Sequence, residues 1–373
     1  MVTISGDVSD LPLWRLADLP DLEISGAAAP YLSSIGEVAF LSDGTVLVVD
    51  NQSDELRLFD ATGSVKRLLG GAGQGPGEFQ QLTTLTVTAG DTAYAYDRRL
   101  QRVSIFEPDG ELVRTFPVSY EDGGYNTRAN GVWAVDSEHL LLHRSSPYDS
   151  ASSVPRPRRD QRDVVLFALD GAGHVRKSPI RFTGGYSVDF DTGDGRALFS
   201  NRPFIAVSSG RIVHGPAVDY DLTVSSPNLQ PVRIVRWSDW REPLTEEAIQ
   251  AARTLVEASL EEFRAARPVL IKTIIESTFS PNVLPSFLPA LGKVVLDENG
   301  RLWVSAFRPT TDLWNEAEAW HILDQNGHPL ARVRLPTNAR IAAVREDRVA
   351  LIMRDSLEVE HLRVFRLLET SPD

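Results

Sequence analysis

The chain has 373 residues, a formal net charge of −13 and no cysteine. The missing cysteine excludes disulfides, thiolate metal sites and a cysteine nucleophile. The acidic charge argues against nucleic acid, whose binding requires clustered Lys and Arg, and no apolar run is long enough to predict a membrane span. The N-terminus, MVTISGDVSDLPLW, lacks a secretory signal. We therefore expect a periplasmic or secreted protein whose signal is absent from this sequence, ahead of a cytoplasmic one.

One pattern occurs six times along the chain: an apolar run, a tight turn rich in Gly, Asp and Ser, and a second apolar run. A unit of this kind cannot bury its apolar faces alone, so its copies stack around an axis. The sequence predicts an all-β fold, a single six-bladed β-propeller domain over residues 1–373. The first copy, Val38–Gly70, reads as four strands, A to D, and the others centre on Thr86–Asp97, Val132–His143, Ile205–Gly215, Lys293–Ala306 and Ala342–Asp355.

Two segments depart from the repeat. The sixth copy ends after its third strand, and Leu13–Leu16 is predicted to supply the fourth and to close the ring. A helical insertion is predicted over about 240–289, between blades four and five, with Thr245 as N-cap and Pro268 ending or bending the helix. It acts either as a cover over the channel or as a brace between the two blades. Its apolar stripe is Ile249, Ala252, Leu255, Val256, Leu260 and Phe263.

Three sequence segments resemble known propellers. GQGPGEFQQL (Gly73–Leu82) and FEPDGELVRTF (Phe106–Phe116) are similar to the six-bladed NHL-type propellers of bacteria, and RANGVWAVD (Arg128–Asp136) resembles the gluconolactonase- and paraoxonase-like superfamily. The second resemblance implies a central Ca²⁺ that polarises an ester, lactone or phosphoryl oxygen. The acidic-Gly-Pro motif of that superfamily is absent from the first blade. The positions that would hold Ca²⁺, or else act as caps and turns, are Glu78, Asn130, Asn201 and Asn338.

The A–B and C–D turns are short, and the long insertions all fall at the opposite end of the predicted ring. We call the end with the short turns the bottom face and the end with the B–C loops and blade connections the top face. Functional groups concentrate in the loops of a rigid scaffold. The ends of the B strands would line a top-face funnel in which His serves as general base and Arg binds an anionic group. The predicted catalytic set is Asp50, Asp97, His143, Arg144, His214, Arg308 and Arg354.

These observations leave two functions open. The first is a hydrolase that acts on a small ester, lactone or phosphotriester in the funnel, with Ca²⁺ as a candidate cofactor. The second is a non-catalytic propeller that binds a peptide, glycan or protein partner on the same face. The predicted protein is a monomer with a small-molecule substrate and without nucleic acid. A covered polar funnel favours the first function, and a flat aromatic rim favours the second.

Overall fold

The computed structural model describes residues 1–4, 10–25, 32–118, 128–145, 157–190, 193–196, 198–199, 203–216, 219–237, 242–307, 319–336 and 338–369. Of residues 158–162, 185–190 and 193–196 it describes the backbone. The described chain forms six blades of antiparallel strands, as the repeat predicts. An N-terminal segment contributes β1 (Val2–Ile4), β2 (Leu13–Leu16) and β3 (Leu22–Ser25).

Each blade takes its strands in chain order from the axis outward. Blade one has β4 (Ile35–Phe40), β5 (Val46–Asp50), β6 (Glu55–Phe59) and β7 (Val65–Gly70). Blade two has β8 (Leu82–Val87), β9 (Ala93–Asp97), β10 (Arg102–Phe106) and β11 (Leu112–Pro117). Blade three has β12 (Gly131–Ala134), β13 (His139–Ser145), β14 (Arg158–Asp170), β15 (Ile180–Phe190) and β16 (Gly193–Arg196).

The second half of the ring follows the same order. Blade four has β17 (Phe204–Ser208), β18 (Arg211–Gly215), β19 (Asp221–Ser225) and β20 (Pro231–Trp237). Blade five has β21 (Leu291–Leu296), β22 (Leu302–Ala306), β23 (Ala319–Leu323) and β24 (Pro329–Arg334). Blade six has β25 (Ala339–Arg345), β26 (Arg348–Arg354) and β27 (Glu360–Leu368).

The second strand of a blade is apolar on both faces because it lies between two neighbouring blades. In β5, Val46 and Val48 pack towards blade six, whereas Leu47 and Val49 pack towards blade two. Side chains alternate along a strand, so a strand with two buried faces reads as a continuous apolar run. Six apolar clusters of this kind, one at each junction between blades, form the core of the described ring.

The ring is closed by an N-terminal strand, as predicted, but the predicted segment is wrong. Strand β3 pairs antiparallel with β27 and completes blade six. Its two apolar side chains, Leu22 and Ile24, are 3% and 4% exposed and enter the cluster between blades six and one. Leu13–Leu16 forms β2 instead, which pairs with β24 and with the end of β27. There Trp14 packs between blades five and six. Both apolar segments are therefore buried, and the apolar pattern alone does not show which of them completes blade six.

The N-terminal segment also reaches blade four. Strand β1 pairs in parallel with the outer strand β20 and gives that blade a fifth strand. The segment therefore follows the outer edges of blades four, five and six in turn. A covered edge offers no unpaired backbone groups to another chain.

Replacing Ile24 by Ala is expected to lower the free energy of unfolding by about 3 kcal/mol, since a buried Ile is truncated in a closed core. Leu16→Ala, which removes a partly buried contact from β2, is expected to cost less than half as much. The measurement is denaturant unfolding of both variants at neutral pH. A loss for Leu16→Ala that equals or exceeds the loss for Ile24→Ala would contradict closure by β3.

Arginines in outer strands fasten neighbouring blades together at the bottom face. Arg67 donates to the Asp109 carbonyl at 3.0 Å, Arg114 to the Gly171 carbonyl at 2.7 Å and Arg233 to the Gln325 carbonyl at 2.6 Å. In each case the acceptor lies in the C–D turn of the next blade. The turns hold their shape because glycines such as Gly110 and Gly327 adopt a φ of 86°, which other residues rarely do.

The insertion between blades four and five is helical, as predicted. It contains α1 (Glu246–Ser259), α2 (Glu261–Arg264) and α3 (Pro268–Thr278). The Thr245 hydroxyl accepts the Ala248 N–H at 3.2 Å and caps α1, while Pro268 begins α3 rather than ending or bending α1. None of the described helices is long and apolar enough to cross a membrane.

The helices pack on one another and on two phenylalanines of the top face. Phe199 precedes blade four and Phe307 follows β22, and both join the apolar cluster of α1 and α3. The insertion thus contacts the ring at more than one blade, which agrees with a brace, while a role as a cover stays a prediction. Two members of the predicted stripe do not pack: Leu255 and Phe263 are 48% and 57% exposed. Helix α1 ends at Ser259 and α2 begins at Glu261, so the helical spacing of the stripe no longer applies at Phe263.

Candidate functional site

Asp50 and Asp97 occupy equivalent places at the ends of β5 and β9, and both bind backbone. Asp97 accepts the N–H groups of Gln80, Gln81 and Leu100 at 2.5, 2.9 and 2.7 Å. Asp50 accepts the N–H groups of Ser33, Ser34 and Gln52 at 3.0 to 3.2 Å. Both aspartates are at most 1% exposed. Each carboxylate therefore holds the start of the inner strand of its own blade.

Asp97→Ala is expected to lower the free energy of unfolding by about 3 kcal/mol, because it leaves buried N–H groups without an acceptor. Asp109→Ala, which removes a single acceptor in an exposed turn, is the matched control and should change it by less than 1 kcal/mol. Thermal and denaturant unfolding give the measurement. An Asp97→Ala variant that is as stable as the wild type would contradict this structural role and leave a catalytic role for Asp97 open.

The two predicted histidines lie within or between blades. His214 is 6% exposed, lies 3.1 Å from the Ser225 hydroxyl and stacks on Phe182 of blade three. His143 stacks on Trp133 with ring centroids 6.3 Å apart. Burial lowers the pKa of each imidazole to about 4, so both are neutral at pH 7. A catalytic role for them stays a prediction.

The predicted arginines do not form one group in the described structure. Arg144, on β13, is 1% exposed. Arg354 lies 3.1 Å from Glu358 and 3.4 Å from Glu360, and the Glu360 carboxylate accepts the Ile35 N–H at 2.7 Å. Arg354 thus forms ion pairs within blade six, and Glu360 connects them to blade one through its hydrogen bond with Ile35. Arg308 lies outside the described residues.

The residues predicted to bind calcium make local contacts or lie in turns where they are described, and a calcium site there stays a prediction. The Glu78 carboxylate accepts the Gly75 N–H at 2.7 Å within the glycine-rich loop. The Asn130 amide donates to the Ser145 hydroxyl at 2.8 Å, and Asn338 adopts a φ of 58° in a turn. Asn201 lies outside the described residues. Over the described part of the chain, no three His, Asp or Glu side chains are arranged to hold a metal ion.

The structure instead shows a cavity along the axis of the ring. Its volume is about 1080 Å³, and the inner strands of all six blades line it. It extends to the A–B turns, where Ser42, Asp91, Asp136 and Glu346 line it. This described cavity therefore reaches the bottom face, opposite the face where sequence reasoning placed the site.

Three charged side chains project from adjacent inner strands into the cavity. Glu37 comes from blade one, Lys293 from blade five and Arg340 from blade six. The Lys293 ammonium donates to the Ile341 carbonyl at 2.7 Å, and Arg340 donates to the Ile35 carbonyl. Both cations are thus held by backbone groups, and their charges act on Glu37. We call these residues the axial triad.

The surroundings of Glu37 act on the pKa of its carboxyl in two opposite directions. Its side chain is open to the cavity, yet the ring encloses it, and this burial raises the pKa of the carboxyl above its ordinary value. The positive charges of Lys293 and Arg340 act in the opposite direction and are the smaller effect. A carboxylate with a raised pKa next to fixed cations is suited to proton transfer in a reaction that develops negative charge.

At the bottom mouth of the cavity, Arg345 connects several blades. Its guanidinium lies 3.0 Å from Glu298 of blade five and 3.7 Å from Asp91 of blade two, and it donates to the Phe40 carbonyl of blade one at 3.0 Å. The mouth is therefore a rigid ion-paired rim, distinct from the axial triad above it.

The fold and the cavity define a class: the chain is a six-bladed β-propeller with a polar axial cavity. Residues 30–127, which span blades one and two, match the family model described as a 6-bladed beta-propeller. No curated protein matches the chain in sequence. The predicted resemblance to six-bladed propellers is confirmed.

Solved structures agree on the fold. A protein of Bacteroides fragilis has a TM-score of 0.57 and 11% identity, with 99% of each chain covered. A member of the DUF4221 family from Bacteroides vulgatus has a TM-score of 0.53 and 12% identity, covering 95% of this chain and 98% of that one. A gluconolactonase from Xanthomonas campestris is also similar, at a TM-score of 0.41 and 12% identity over 96% and 99% of the two chains. At these identities the likeness concerns the fold, and the activity has to be argued from the site.

Proposed function

We propose that this protein is a hydrolase of small esters or lactones and that the axial triad is its reactive centre. The observation that carries the proposal is Glu37, a carboxyl group with a raised pKa that is open to the cavity and flanked by Lys293 and Arg340. The sequence also predicts a hydrolase that acts in a central funnel. The residues proposed here, the axial triad, differ from the predicted catalytic set.

The chemistry requires one proton acceptor and one stabilised anion. A water molecule adds to the carbonyl carbon while Glu37 takes one of its protons. Negative charge then develops on the carbonyl oxygen, where the positive charges of Lys293 and Arg340 stabilise it. The bond to the alkoxide breaks, Glu37 returns the proton to the alkoxide, and the products are a carboxylic acid and an alcohol. A lactone gives both groups on one molecule.

A substrate panel tests the activity. It contains aryl esters, lactones and aryl phosphotriesters, assayed with the wild-type protein, Glu37→Gln, His143→Ala and His214→Ala, each with and without a chelator. We expect ester or lactone turnover that Glu37→Gln removes and for which both histidine variants keep kcat when normalised to folded protein, with a raised KM in His143→Ala because Trp133 loses the ring on which it stacks. Loss in the histidine variants alone, or turnover that depends on calcium, would place the reaction outside the axial triad.

One observation favours the second candidate function, a binding propeller. The two cations of the axial triad are anchored to backbone carbonyls and can hold an anionic group without reacting with it. Absence of turnover over the whole panel, together with tight binding of a small carboxylate, would favour the binding function.

A further inference from the structure

At the level of the triad, the wall of the axial cavity opposite it is apolar, whereas its polar lining residues lie lower, in the A–B turns. Trp133 of blade three and Ile205 and Val207 of blade four line the cavity and belong to one apolar cluster. In a ring of six blades, blade three lies across from blade six and blade four across from blade one. Trp133 is therefore on the side opposite Arg340, and Ile205 and Val207 are on the side opposite Glu37.

Trp133 is held in a fixed orientation by the residues around it. Its indole stacks on the His143 imidazole at an interplanar angle of 25°. It also covers Gly131, where a Cβ atom would lie 2.6 Å from the indole ring and 3.0 Å from the Thr84 methyl group. A glycine at this position leaves room for the ring, so the apolar wall is a formed surface of the cavity.

At the level of the triad the cavity thus carries charged side chains on one side and apolar side chains on the other. A ligand that fills it must place a polar group at the triad and an apolar group against Trp133, Ile205 and Val207, because an apolar group next to the charges would desolvate them. The cavity of about 1080 Å³ is as large as the sites that enclose drug-sized ligands. It therefore accommodates more than an acetyl group.

From this division we infer that the substrate is amphipathic: an ester or lactone whose acyl part carries an alkyl chain or an aromatic ring. The inference rests on the proposed hydrolysis for the position of the reacting bond, and on the apolar wall for the rest of the ligand. Trp133 is the specificity-determining residue. It contacts the apolar part and takes no part in the proton transfer.

Two measurements on the full-length protein test the inference separately from the activity. The first is hydrolysis of p-nitrophenyl acetate, butyrate and hexanoate. The second is calorimetric binding of the unreactive carboxylates acetate, butyrate and hexanoate. Burial of each additional methylene is expected to tighten binding about threefold to fourfold and to lower KM in parallel.

Trp133→Ala is the informative variant and Trp133→Phe its matched control. We expect the alanine variant to lose most of the dependence on chain length in both measurements and the phenylalanine variant to keep it, with thermal unfolding verifying that both are folded. Binding that depends on chain length without turnover would contradict the proposed hydrolase activity but support an amphipathic ligand. Turnover with no dependence on chain length would overturn the amphipathic substrate and leave the hydrolase standing. Equal chain-length dependence in Trp133→Ala would overturn the assignment to this wall.

Discussion

Glu37→Gln is expected to lower kcat for ester or lactone hydrolysis by about 10²–10⁴-fold, the usual contribution of a general base. Glutamine keeps the size and polarity of the side chain but cannot accept the proton of the attacking water. Because Glu37 is open to the cavity rather than packed in the core, the variant should unfold within about 1 kcal/mol of the wild type. The measurement is kcat on the best substrate of the panel, together with denaturant unfolding.

The pH profile gives an independent readout of the same group. Glu37 must be deprotonated to act as a base, so the rate should fall as the pH drops through its pKa. Burial raises that pKa, and the fall should therefore begin at a higher pH than for an ordinary glutamate. In Glu37→Gln this acid limb should disappear from any residual activity.

Glu298→Gln is the matched control. Glu298 lines the same cavity, and burial also raises its pKa, but its carboxylate lies 3.0 Å from Arg345 in the ion-paired rim at the mouth. It should change kcat by less than about threefold, since a group distant from the reacting atoms makes no differential contact in the transition state. Equal losses in the two variants would mean that the cavity needs its overall charge and not a base at Glu37.

Acidification from pH 7 to pH 4 is expected to destabilise the protein strongly through three histidines, of which His214 is buried and the other two are partly buried. His143, His214 and His321 each have a pKa lowered to about 4 because burial disfavours the charged imidazole. An unfolded histidine has a pKa of about 6.5. Between these values the unfolded state binds more protons than the folded state, so stability is lost as the pH falls. The buried His214 contributes a loss of roughly 3 kcal/mol by pH 4, and the two partly buried histidines contribute less because solvent screens them.

The contribution of one histidine is measurable by substitution. His214→Gln should flatten the dependence of unfolding free energy on pH between 6.5 and 4, although it also costs stability at pH 7 through the lost contacts with Ser225 and Phe182. His174→Gln is the control, because the His174 side chain is 75% exposed and should leave the slope unchanged. Identical slopes in the wild type and His214→Gln would refute a neutral, buried His214.

The architecture was predictable from the sequence because each blade is defined by its own neighbouring strands. The apolar B strands, the C–D turns and the helical start at Thr245 depend on residues close in the chain. The ring closure was only partly predictable: Leu13–Leu16 and Leu22–Ser25 are both short apolar runs, and the choice between them depends on partners more than 300 residues away.

The sequence analysis did not select the axial triad because charged residues at equivalent strand ends were interpreted as catalytic groups. Asp50 and Asp97 end apolar strands in the same way as catalytic carboxylates do, yet they bind the N–H groups of the preceding strand. The sequence does contain a pattern that indicates the axial triad. Glu37, Lys293 and Arg340 interrupt inner strands that carry Val, Thr or Ile in blades two and four. Recognising them requires knowing that three distant strands face one axis.

The closing strand also fixes when the protein can become complete. Ser25 pairs with His361, 336 residues further along the chain, so β3 has no partner until blade six has been synthesised. During translation, five blades can form in order while Leu22 and Ile24 stay uncovered. The last event is then the pairing of β2 and β3 with β27, which closes the longest loops of the described fold at a high cost in chain entropy. We expect this step to limit the rate of refolding, and the two chain ends to be the region where chaperones are most needed.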